Sequence, residues 1–100
     1  MSLSAAQKQA TRQEFTENLR RLNLTPQDIA IALGTGTGCI EDIITLRNVR
    51  RLEDAWIIRR YLLERAAQTG VELTPFTALQ GDPADYWFLD TSRIDRMELD

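Results

Sequence analysis

Residues 24–46 read LTPQDIAIALGTGTGCIEDIITL, two short apolar-periodic segments hinged at Gly34. Thr25-Pro26 is a helix start, because threonine can cap and proline is pre-set in φ for the first helical position. Asp28 follows near the positive helix end. The pattern predicts a helix from Pro26 to Leu33 that buries Ile29, Ala30 and Leu33. Gly34 can take positive φ and end it. A third helix is expected to start between Gly36 and Gly38, with Thr37 the candidate cap and Ile40, Ile43 and Ile44 facing inward. Two amphipathic helices joined at a glycine turn make a helix-turn-helix, a motif that most often serves DNA recognition. Glu41 and Asp42 stand where a DNA reader is usually neutral or basic.

Outward from this stretch, Ser4 and Gln7 form a capping-box pair, so a first helix should begin near Ala5. Phe15, Leu19 and Leu22 lay one apolar stripe along it, and Asn23 suits a left-handed stop. Lys8, Arg12, Glu14, Glu17, Arg20 and Arg21 read as a solvated face with Glu17 pairing to Arg21. Asn48 is a candidate cap for a fourth helix, of which residues 50–68 are the firm part and which Gly70 ends. Leu52, Ala55, Trp56, Ile58, Leu62, Leu63 and Ala66 make that helix more apolar than one face requires. It must be covered on most sides, by the tail or by a second subunit.

The remainder, VELTPFTALQGDPADYWFLDTSRIDRMELD, is too apolar at Phe76, Leu79 and Tyr86 to Leu89 for a solvated tail. Two helical turns, opened by Thr74-Pro75 and Asp82-Pro83, are expected to wrap it over the fourth helix. A strand at Tyr86 to Leu89 is the competing reading. The expected fold is all-α: a single domain over residues 1–100, with four main helices. Its helix-turn-helix core spans about residues 5–69 and a C-terminal aromatic arm about 70–100. A homodimer through the Trp56 helix and the arm is expected, since neither alone hides enough apolar surface.

The chain has 100 residues, 43% hydrophobic and 27% charged, which is ordinary for one globular domain. No run approaches a membrane span, and the N-terminal stretch lacks the apolar centre of a signal peptide. A single cysteine excludes an internal disulfide framework, so a cytoplasmic protein is expected. The net charge of −3 hides an asymmetry: ten basic against eight acidic residues up to Ala67, then two against seven. Such a balance argues against a general nucleic-acid coat but leaves room for a local basic stripe. Arginine outnumbers lysine eleven to one, which favours forked contacts with phosphates or carboxylates.

Catalysis finds little support. Without histidine the commonest general base and metal ligand is missing. One cysteine gives neither a nucleophile–base pair nor a thiolate metal site. Glu41-Asp42 and Glu53-Asp54 are adjacent on helices and point apart. GTGTG lacks the preceding strand and following lysine of a phosphate loop. No enzyme, metal or cofactor is expected. Cys39, in the first turn of the third helix, reads either as a redox switch or, in preference, as a small filler at a tight helix contact. Trp56 and Tyr86-Trp87-Phe88 read as core or interface rather than as a base-stacking platform.

In a helix-turn-helix the second helix enters the major groove by its N-terminal residues. Thr35, Thr37 and Glu41 are therefore the candidate base-edge contacts: threonine for a thymine methyl or a base edge, a carboxylate for the cytosine amine. Arg47, Arg50 and Arg51, helped by Gln27, are the candidate phosphate clamps. Alternatively the arginines pair with Glu53, Asp54 and acids of the tail. Two function classes follow: a transcription regulator binding duplex DNA, or a protein-interaction module on a helix-turn-helix scaffold that has lost DNA affinity. A small-molecule sensor is a distant third.

TRQEFTENL, RRLEDAWIIRRYLLE, TPFTAL and YWFLDTSRID together resemble a small bacterial family, domain of unknown function twenty-three-sixteen, over nearly the whole chain. That resemblance implies a bacterial cytosolic protein of unassigned activity. Residues 24–63 are also similar to phage-repressor-like helix-turn-helix domains, through Leu24, Thr25, Ile29, Ala30, Leu33, Gly34, Ile40, Ile43 and Leu52. Pro26 stands where that family often has a phosphate-bonding glutamine. Gly36, Thr37, Gly38 and the acidic pair replace its polar and basic groove contacts.

Overall fold

The computed structural model describes residues 4–47, 52–80, 91–97 and 99. They form α1 (Ala5–Leu22), α2 (Pro26–Leu33), α3 (Thr37–Ile44), α4 (Leu52–Thr69) and a single turn, α5 (Thr91–Asp95). No strand occurs among the described residues, so the all-α expectation holds. Residues 48–51, with the expected cap Asn48, and 81–90, with the Asp82-Pro83 turn and the alternative strand, lie outside the described residues.

Local chemistry sets the helix ends. At α1 the Ser4 hydroxyl accepts from the Gln7 N–H, and the Gln7 side chain accepts from the Ser4 N–H. Thr25 and Asp28 repeat this reciprocal box at α2, behind Pro26. Three helices then stop in the same way. Asn23 (φ 56°), Gly34 (φ 70°) and Leu46 (φ 52°) are left-handed. The following N–H reaches back five residues, from Leu24 to Leu19, Thr35 to Ala30 and Arg47 to Asp42. These are Schellman stops, which satisfy carbonyls the helix would otherwise leave open. At α3, Gly36 rather than Thr37 occupies the cap position and supplies no side-chain bond; Thr37 is the first helical residue.

The core lies where α1, α3 and α4 meet, with α2 packed on α3 and α5 on α4. Phe15, Ile29, Ile40, Ile57, Ile58 and Leu62 are fully enclosed. Leu33 and Ile44, expected inside, are only half-buried at its edge, as is Cys39. The apolar surplus of α4 is absorbed within the chain. Phe76, Leu79 and Ile94 are buried in the same core, and Leu63, 40% exposed, is the large apolar side chain of α4 left outside.

Thr74-Pro75 opens no helical turn. Residues 71–80 instead run as an irregular strap, because α1 side chains take the backbone groups a helix would need. The buried Asn18 amide accepts from the Thr74 N–H at 2.8 Å and donates to the Thr74 carbonyl at 3.1 Å. Glu14 accepts from the Thr77 N–H at 3.2 Å and hydroxyl at 2.7 Å. Arg21 donates to the Glu72 carbonyl at 3.1 Å. Glu14 and Arg21 are thus anchors, not the purely solvated residues their spacing suggests.

Glu17 does pair with Arg21, and also with Arg20. Hydrogen bonds from Arg20 first and Arg21 second lower its pKa from 4.5 to about 2. A carboxyl depressed by folding stabilises the folded state above its unfolded value and loses that contribution as pH falls from about 4.5 towards 2. A carbon-detected titration of Glu17 should therefore show a midpoint near 2 that moves up in Arg20→Ala. A midpoint at 4.5 in the unsubstituted protein would contradict the pairing.

Candidate nucleic-acid interface

The outer side of α2 and α3 is decided by what their inner side buries. Ile29 and Ala30 on α2, and Ile40 and Ile43 on α3, are all less than 4% exposed. Helical spacing then turns Gly38 and Glu41 away from that stripe, and Thr37, on the side of Ile40, is exposed because it opens the helix. Thr37 and Glu41 are four residues apart and so lie one turn above the other. Thr35 sits in the turn, half-buried, with its N–H committed to the Ala30 carbonyl. Gln27 is exposed at the second position of α2.

Arg47 is exposed just beyond the other end of α3. Its direction depends on Leu46, an ordinary L residue held at positive φ. That conformation costs roughly 1–2 kcal/mol, and the packing of Leu46 against the core holds it in place. No sequence signal marks leucine for this role. Arg47 follows the end of α3 at Ile44 and comes directly after the left-handed turn at Leu46, where its N–H folds back onto the Asp42 carbonyl. Arg50 and Arg51 lie outside the described residues, so Thr35, Thr37 and Glu41 form one end of the candidate surface and Arg47 marks the other.

The electrostatics are mixed. Residues 24–47 carry Asp28, Glu41 and Asp42 against Arg47 alone, a net of −2. Asp28 is engaged in its capping box, whereas Glu41 is free in direction and exposed. Glu53 and Asp54, in the first turn of α4, are 8% and 4% exposed and are interacting rather than solvated. Trp56 is 2% exposed, with the Arg59 guanidinium 4.9 Å from its ring centroid, which fits core packing and not base stacking. The Tyr86-Trp87-Phe88 run lies outside the described residues. Among those residues no three metal-ligating side chains converge, and no helix is long and apolar enough to cross a membrane.

Residues 1–90 match the family described as "uncharacterized protein conserved in bacteria (DUF2316)". The chain belongs to that family. No curated protein and no solved structure matches it. The family places the chain among conserved bacterial proteins and covers α1 to α4 and the strap. The packing of α2 on α3 is compatible with a helix-turn-helix.

Proposed function

We propose that the protein is a non-enzymatic, cytoplasmic helix-turn-helix regulator of transcription that contacts duplex DNA through the outer side of α3. The supporting observation is the division of α3. Its isoleucines are buried, and Thr37, Gly38 and Glu41 form an exposed strip starting at a helix N-terminus. A Cβ added at Gly36 or Gly38 would meet nothing within 4 Å. The protein's own packing therefore does not require glycine there, and the missing Cβ would allow this backbone to approach a groove closely. In this reading Thr35, Thr37 and Glu41 meet base edges. Gln27, Arg47, Arg50 and Arg51 meet phosphates. A homodimer would pair two half-sites; with Trp56 enclosed, Leu63 is the apolar side chain of α4 available for that contact.

A second reading is the interaction module without DNA affinity. It is favoured by the net −2 of residues 24–47 and by Ile31, which is 72% exposed on α2. Titration of the protein with random-sequence duplex at increasing salt separates the two. The regulator shows affinity that falls with salt, and Arg47→Ala flattens the logarithmic slope by about 1. No binding at low salt leaves the interaction module.

A further inference from the structure

The α1 side chains that hold the strap are spaced as a recognition element. Glu14, Asn18 and Arg21 lie on one side of the helix. Asn18, fully buried, pairs with both backbone groups of one residue, Thr74, as a neighbouring strand would. Arg21 takes a carbonyl two residues earlier. Phe76, two residues later, meets Phe15 edge-to-face with ring centroids 5.3 Å apart. Glu14 holds both the N–H and the hydroxyl of Thr77. Among the described residues, every backbone hydrogen bond seen for 72–77 runs to a side chain of α1 and none to another backbone group.

We propose that this side of α1 is a binding site for an extended protein segment, occupied in this chain by its own residues 72–77. The amide clamp reads main chain and is indifferent to sequence. Selectivity comes from an aromatic residue two positions after the clamped one and a hydroxyl residue next to it. The partner in trans is therefore an extended segment carrying a Thr-Pro-Phe-Thr type of pattern, entering when the strap lifts. The strap follows directly on Gly70, left-handed at φ 74°, so the tethered copy has an effective concentration in the millimolar range and keeps the site closed. This inference is independent of DNA binding.

Amide hydrogen exchange on the isotope-labelled full chain tests it, with unlabelled peptide VELTPFTALQ added at about 1 mM, a concentration matched to that of the tethered strap. The Thr74 and Thr77 amides are expected to exchange together, at least ~10-fold faster with the peptide than with its reversed sequence, while the Ile58 amide is unchanged. Asn18→Ala should remove the peptide effect, and the milder Glu14→Ala should weaken it if Asn18→Ala fails to fold. Equal rates with the two peptides, or strap amides that exchange only at the rate of Ile58, would overturn the proposal.

Discussion

Phe15→Ala is expected to destabilise the protein by about 3–5 kcal/mol, the usual cost of emptying a buried aromatic site. Phe15 is fully enclosed and is the point where α1 meets the strap, through its edge-to-face contact with Phe76. The aromatic geometry contributes roughly 0.5–1.5 kcal/mol of that loss beyond area alone. Against a total stability of about 5–15 kcal/mol, this is a large fraction. The urea midpoint should fall steeply, and the melting temperature by roughly 12 °C or more at ~4–8 °C per kcal/mol. Ile31→Ala, at a site 72% exposed, should change stability by no more than ~0.5 kcal/mol. A Phe15→Ala loss below about 1 kcal/mol would mean that the α1–strap contact does not form.

The second large effect belongs to a polar residue. Asn18→Asp keeps shape and one acceptor, but replaces the amide donor that faces the Thr74 carbonyl at 3.1 Å. In a fully buried position an uncompensated carboxylate costs about 3 kcal/mol or more at neutral pH. Burial and the facing carbonyl both favour the protonated acid, so the introduced group has a raised pKa in the folded state. The folded variant then binds protons more readily than the unfolded chain, and its stability should rise as pH is lowered from 7 towards the ordinary carboxylate range. Asn18→Leu removes both bonds without adding charge. It should cost about 1–3 kcal/mol for each Thr74 group left without a partner, with no such pH dependence. Chemical denaturation of both variants at pH 7 and pH 5 checks this. Equal stability of Asn18→Asp at the two pH values would contradict the buried clamp.

What could be read ahead of the structure was local chemistry. Ser4 with Gln7, and Thr25-Pro26 with Asp28, mark helix starts because their side chains satisfy N–H groups three residues away. Asn23, Gly34 and Gly70 mark stops because those residues tolerate positive φ. What could not be read depended on partners far along the chain. Asn18 and Thr74 are 56 residues apart, and Glu14 and Thr77 63. Nothing local says that Thr74-Pro75 gives up a helical turn to meet them. A signal did exist for Asn18: it falls on the apolar stripe of α1, three residues after Phe15 and beside Leu19, where an unpartnered amide would be costly. Leu46 carried no signal at all, since its left-handed conformation rests on tertiary packing. The same limit applies to function. Spacing places Gly38 and Glu41 off the isoleucine stripe of α3, whereas the exposure of Thr37 comes from its place at the helix start, and contact with a groove is set by the charge around them rather than by their spacing.

Amide chemical-shift mapping with a short duplex at low salt addresses that question most directly. If α3 reads DNA, the changes concentrate at Thr35, Thr37, Gly38, Glu41 and Arg47, and the buried isoleucines of α3 respond less. An unchanged spectrum, or changes confined to the strap at 71–80, would contradict it.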